Sequence, residues 1–203
     1  MKELLEEEDL LKYKIIYNTM NSPAGQELLN AYDSLNREIL YKSYIHGIGH
    51  IERVMLFGAI LADKRHFDIK DTRLLLLACS YHDIGRRNDQ RDETHGERGA
   101  ELIKDYASEL QLSDEDLAIL QAAIAVHSTE DMTLSTWLKR YSVQDKDRAT
   151  RISLALKDAD ILDRVRLQGV FNKDYLHSKE SKHLICMAKK VLNYSLANIG
   201  YKS

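Results

Sequence analysis

Thr72-Arg73-Leu74-Leu75-Leu76-Leu77-Ala78-Cys79-Ser80-Tyr81-His82-Asp83 is an almost continuous apolar run that ends on an imidazole and a carboxylate. A helix that is apolar on every side belongs in the middle of a core, so this run predicts a central helix with His82 and Asp83 emerging from the core's centre. The rest of the chain is compatible with helices around it. One proline, Pro23, and nine scattered glycines leave most of the sequence free to be helical, and the clusters of turn residues that punctuate an all-β chain are missing. An all-α fold is predicted. The 203 residues suffice for one well-buried core, and no linker composition divides them. We read residues 1–203 as a single domain, with a motif-bearing core at about 46–167, N-terminal helices within 1–45 and a C-terminal helix at about 175–196 packing on it.

Charge and cysteine content narrow the function classes. The net charge is −3 with both signs interspersed, which offers no basic stripe to neutralise a nucleic-acid backbone, so duplex binding is not expected. A small anionic substrate needs only a local positive pocket. Met1 to Leu11 is too acidic for a signal peptide, and no apolar run approaches a membrane span. Cys79 and Cys186 stand alone, which points to a reducing compartment, by default the cytoplasm. A homo-oligomer stays open. The acidic cluster Glu6-Glu7-Glu8-Asp9 reads as a solvated helix face.

Periodicity places the other polar residues. Ser22 and Pro23 read as N-cap and first residue of a helix running toward Tyr41, with Leu28, Leu29, Tyr32 and Leu35 on its buried side and a shorter helix before it. From His46 or His50 a long helix carries Ile51, Val54, Met55 and Ala59, with His50 leading the stripe. Gly85 to Glu93 is a charged loop. His95, Gly99, Leu102 and Tyr106 then recur at helical spacing, and Gly99 would let another backbone approach. Ser113 with Asp116 forms a capping-box variant ahead of a helix that puts Leu120, Ile124 and His127 on one face. Ser128 to Asp147 is a polar crossing near the site mouth with an apolar insert at Trp137-Leu138. Arg151 to Gln168 places Ile152, Leu156, Asp160, Asp163 and Leu167 at helical intervals, and a last amphipathic helix follows.

His50, His82, Asp83, His95, His127 and Asp160 thus converge as candidate metal ligands. Imidazoles and carboxylates without thiolates suit Fe, Mn, Co, Mg or Zn in a hydrolytic site. Six ligands exceed what one such ion takes from protein, so one or two divalent ions are expected, and two are favoured, with Asp83 as the bridge. Water held between them would attack a phosphorus centre while the metals neutralise charge. Taken singly, an inward histidine is more often a hydrogen-bonded core residue, and Asp160 alone would be a surface carboxylate. Their joint occurrence with the His-Asp pair reverses those odds, because a buried carboxylate needs a cation or hydrogen bonds.

In their surroundings these residues resemble the HD-domain superfamily of metal-dependent phosphohydrolases: Gly49-His50-Ile51-Glu52-Arg53-Val54, Tyr81-His82-Asp83-Ile84-Gly85-Arg86 and Lys157-Asp158-Ala159-Asp160-Ile161-Leu162-Asp163. The resemblance implies an HD-type helical bundle with a buried metal site whose superfamily ligands are His50, His82, Asp83 and Asp160. Thr94-His95-Gly96-Glu97-Arg98-Gly99-Ala100 and Ala125-Val126-His127-Ser128 are similar to the extra motifs of dinuclear members, including the dinucleoside tetraphosphate hydrolase branch. Periodicity alone also admits Asp158, on a partly apolar stripe with Leu154, Ile161 and Val165; the family pattern favours Asp160.

The expected activity is therefore cleavage of a small phosphorylated molecule, a nucleotide or related phosphoester or phosphoanhydride, by metal-bound hydroxide. Asp83 and Arg86 carry the catalytic roles. Arg86 and Arg87 follow the doublet within reach of a phosphate, and Lys157 and Arg164 are further substrate-binding candidates. His46 reads as a surface residue rather than an outer partner, Arg53 as structural, and Cys79 as a small buried side chain. His66, His177 and His183 have no motif context. Two alternatives keep the same residues: a di-iron oxygenase, and a non-catalytic module that senses a nucleotide.

Overall fold

The computed structural model describes residues 13–167 and 169–198, and the acidic cluster Glu6-Glu7-Glu8-Asp9 lies outside them. Among the described residues there is no strand. In chain order the helices are α1 Lys14–Met20, α2 Pro23–Asp33, α3 Ile48–Lys64, α4 Ile69–Tyr81, α5 His95–Ile103, α6 Asp114–His127, α7 Leu134–Arg140, α8 Lys146–Asp163, α9 Lys179–His183 and α10 Ile185–Asn198. The apolar run lies in α4, which packs against α2, α3, α6 and α8 and thereby holds the centre of the bundle. Leu74 to Tyr81 are buried throughout. Since α4 ends at Tyr81, His82 takes the C-cap position and Asp83 lies in the turn beyond, deep in the molecule and free of the helix's side-chain spacing.

Capping explains why the flanking helices start where they do. Asp68 accepts from the Asp71 backbone N–H at the head of α4, Ser113 from Asp116 at the head of α6, and Asp145 from Arg148 at the head of α8. The Ser113 hydroxyl also donates to the Asp116 carboxylate at 2.6 Å, closing the expected box. Arg148 then pairs with Asp71 and Asp116, which ties α8 to α4 and α6. No helix among the described residues is long and apolar enough to cross a membrane.

Several local expectations need correction. Ser22 precedes Pro23 but does not cap: its hydroxyl donates instead to Thr19 O at 2.7 Å. That helix stops at Asp33 rather than near Tyr41: Ser34 is its C-cap, with its hydroxyl on Asn30 O, and the Asn36 N–H leaves the helical pattern to meet the Tyr81 hydroxyl at 3.1 Å. Leu102 lies 45 % exposed, so the buried face of α5 is His95, Gly96, Gly99, Ala100 and Ile103. The polar stretch after Ser128 contains α7, whose Trp137 ring stacks on Tyr141. Leu184 breaks the tail into α9 and α10.

The turn after the doublet is packed on the start of α5. A Cβ added to Gly85 would lie 2.1 Å from His95 O and 2.3 Å from Gly99 N, so only hydrogen fits there. This contact brings α5, and with it His95, against Asp83. Gly85→Ala is expected to destabilise the fold by about 3 kcal/mol through overpacking against backbone that cannot yield, read as a lower urea midpoint with the slope unchanged.

Candidate metal centre

Four helices and one turn deliver the six residues. His50 comes from the first turn of α3, His82 and Asp83 from the end of α4, His95 from the start of α5, His127 from the end of α6 and Asp160 from α8. All six are buried. They fall into two groups that share Asp83. Its Oδ2 lies 3.6 Å from His50 Nε2 and 3.7 Å from His82 Nε2, while its Oδ1 lies 3.1 Å from His95 Nε2 and 3.6 Å from His127 Nε2. Asp160 joins the first group, with Oδ1 3.5 Å from His50 Nε2 and 3.9 Å from His82 Nε2.

The imidazoles are presented in one tautomer. His82 Nδ1 is 2.9 Å from Cys79 O, His127 Nδ1 is 2.6 Å from Ile124 O, and His95 Nδ1 bonds Asp92 O. A carbonyl oxygen only accepts, so each of these Nδ1 atoms carries a hydrogen, and in a neutral ring it is Nε2 that offers the lone pair. His50 Nδ1 is likewise tied at 2.7 Å to Asp163 Oδ2. The Nε2 atoms therefore face each other, at 3.0 Å between His50 and His82 and 2.9 Å between His95 and His127, and with all four rings neutral their lone pairs converge. Uncompensated, such pairs repel. Asp83 Oδ2 is buried and has no hydrogen-bond partner among the described residues. Converging lone pairs and an unpaired buried carboxylate oxygen are what a cation in each group would satisfy, so the donor set fits divalent metal.

Electrostatics favour the metal-ready protonation state. Burial lowers His50 and His127 to about 4 each, so both rings are neutral at neutral pH. Burial opposes ionisation of Asp83, yet His82, His127, His95 and His50 around it hold its carboxyl well below the usual range. For Asp160, burial is likewise outweighed, first by Arg164 and then by the imidazoles.

Outer partners hold the ligands in place. Asp163 accepts from Arg53 Nε at 2.6 Å and from its NH2 at 3.0 Å while receiving His50 Nδ1–H, so Arg53 is structural in a specific sense: it holds the carboxylate that orients a ligand. Asp163 carried no role in the sequence reading, although its place three residues after Asp160 on the buried stripe was a usable signal. His46 is corrected as well. It is buried, lies 3.0 Å from Asp89 Oδ1 and packs its ring edge-on against His50 at 5.9 Å.

The basic candidates separate. Arg86 donates from Nε to Asp83 Oδ1 at 2.8 Å, while Arg87 is exposed with no described bond to the site. Arg164 pairs with Asp160 Oδ2 at 3.0 Å, and Lys157 bonds Thr129 O at 2.7 Å and the Asp131 carboxylate. Both line a cleft of about 640 Å³ whose wall also includes His127. Asp158 turns away, taking the His177 N–H at 2.7 Å and the Ser178 hydroxyl at 2.8 Å. His177, assigned no context from sequence, also lines the cleft, as do Asp131 and Thr129. They come from loops without helical periodicity, which left no pattern to find them by.

An all-α bundle holding two buried His/Asp groups around one shared aspartate has the donor set of a metal-binding domain. The HD domain family model matches residues 47–167, and the chain belongs to that family, whose members are generally metal-dependent phosphohydrolases. Comparison with curated proteins and with solved structures gave no match.

Proposed function

We propose that the protein hydrolyses a small phosphorylated molecule, a nucleotide or related phosphoester or phosphoanhydride, at a dinuclear centre in the cytoplasm. His50, His82, Asp83 and Asp160 would hold one ion, and Asp83, His95 and His127 the other. The observation that carries the reading is the division of Asp83, one oxygen toward each histidine pair. Bound metal supplies Lewis acidity toward a phosphoryl oxygen and an acidified water.

The chain's own groups do the rest. The carbonyls of Cys79, Asp92 and Ile124 hold three rings by Nδ1 and so turn their Nε2 atoms inward. Arg86 steadies the bridging carboxylate from the protein side. Arg164 sits both on Asp160 and on the cleft wall, where its guanidinium can pass charge-assisted hydrogen bonds to a phosphate beside the centre. On this reading Arg164 and Lys157, which line the cleft, face the phosphate, and Arg86 acts through Asp83.

The test is elemental analysis of the purified protein together with hydrolysis of p-nitrophenyl phosphate and a nucleotide panel under Mn, Fe, Co and Mg. Metal-dependent phosphate release is expected. Oxygen consumption by an iron-loaded protein without phosphate release would instead assign the oxygenase chemistry, and nucleotide binding without turnover the sensing module. Because the ligands are prearranged, metal at about 100 times its Kd is also expected to stabilise the fold by roughly 2.7 kcal/mol, a rise of roughly 5–10 °C in melting temperature that a chelator reverses.

A further inference from the structure

The cleft wall holds two cations that the metal centre does not use. Lys157 is buried, and its ammonium is fastened from behind by Thr129 O at 2.7 Å. His177 is fastened from behind by Asp158, whose Oδ1 lies 2.8 Å from its Nδ1. In front, both reach one carboxylate: Asp131 Oδ1 accepts from Lys157, and Asp131 Oδ2 lies 2.8 Å from His177 Nε2. Carboxylates only accept, so both nitrogens of His177 carry hydrogen and the ring is an imidazolium. Consistently, Asp158 first, and then Asp131, raise His177 above the ordinary imidazole range.

The three partners differ in how firmly they are held. Asp158 is fully buried and takes further bonds from Ser178 N at 3.2 Å and Oγ at 2.8 Å. Asp131 has a side chain 54 % exposed and stands on the single 3-10 turn Asp131–Thr133 between α6 and α7. Rearward partners belong to the fold; the forward one is an exposed anion standing where a ligand anion would stand. On α8, Lys157, Ile161 and Arg164 line the cleft from one helical face. Lys157 lies three residues before Asp160 on α8, a rise of about 4.5 Å along the axis, and shares the cleft with Arg164 and the ligand His127.

We infer that Lys157 and His177 form a second phosphoryl subsite, closed by Asp131 in the free protein, and that the substrate carries a second phosphoryl group beside the one cleaved. This rests on the phosphohydrolase reading above and deepens it. A phosphoanhydride or bisphosphorylated compound would displace Asp131 and take its two hydrogen bonds. A simple monoester would leave that contact closed.

The test uses inorganic pyrophosphate and orthophosphate as probes, titrated calorimetrically into metal-free protein at pH 6.5, so that binding is read apart from turnover. Asp131→Asn removes the competing charge at a half-exposed position and is expected to bind pyrophosphate about tenfold more tightly, while His177→Gln and Lys157→Met bind it about tenfold more weakly. Thermal melts establish that each variant is folded; should Lys157→Met not fold, the Asp131 and His177 variants decide. Unchanged or weaker pyrophosphate binding by folded Asp131→Asn, or unchanged binding by folded His177→Gln, overturns the subsite. Loss of the metal-dependent hydrolysis reading leaves these binding differences standing, and their absence leaves hydrolysis standing, so the two failures are separable.

Discussion

Asp83→Ala is expected to abolish phosphate release, by on the order of 10³-fold or more, and to strip metal from the protein while its helical circular dichroism persists. The reason is that this carboxylate is common to both groups. His50 and His82 can approach a cation only with Asp83 Oδ2 and Asp160 as anionic partners, and His95 with His127 have Asp83 Oδ1 alone. Neutral imidazoles by themselves leave the second ion without a charged ligand. Removing one side chain therefore empties that group and weakens the other. The fold should survive, since Asp83 lies beyond the end of α4 and, among the described residues, its carboxylate meets Arg86 and the imidazoles of the site rather than the frame of the bundle. Asp83→Asn separates charge from volume: it should lose metal almost as fully while leaving no cavity. An Asp83→Ala protein that is metal-free yet active would end the proposed mechanism.

The largest effect on stability is expected at Asp163. Its carboxylate is fully buried and receives Arg53 twice, His50 Nδ1, and Arg166 NH1 at 3.2 Å. Asp163→Ala leaves the buried Arg53 guanidinium without its counter-ion, which should cost about 3–5 kcal/mol in urea unfolding. The same change releases His50, and metal affinity should fall by about 10–100-fold. Asp163→Asn distinguishes the two consequences. Its amide can present a donor to His50 Nδ1, which would move the ring hydrogen to Nε2 and take the lone pair away from the cation. Weak metal binding is then expected even where the Asn variant unfolds near the wild-type midpoint. Wild-type metal affinity in a folded Asp163→Ala protein would show that His50 needs no orientation.

Much of this centre was legible before any coordinates. Leu74 to Cys79 had to be central because no face of that helix could meet water, and His82 with Asp83 followed from it. His50, His127 and Asp160 shared stripes with apolar residues, so burial was implied by spacing. Choosing Asp160 over Asp158 was different. Both carboxylates are buried on α8 and ionised, and only the neighbours differ: imidazoles and Arg164 around one, His177 and Ser178 around the other. Periodicity reports the face of a helix, not what lies opposite it.

The sequence by itself determined an all-α chain, the central position of the doublet and the chemical kind of the site, because hydrophobic burial and residue type are local properties that survive without knowing neighbours. The tertiary structure alone decided that Asp83 divides its oxygens between two histidine pairs, that Asp163 and Arg53 steer His50, and that Lys157 meets His177 across Asp131. Those are contacts between residues far apart in the chain, and their distances depend on how helices cross and where loops return, which one-dimensional spacing does not encode.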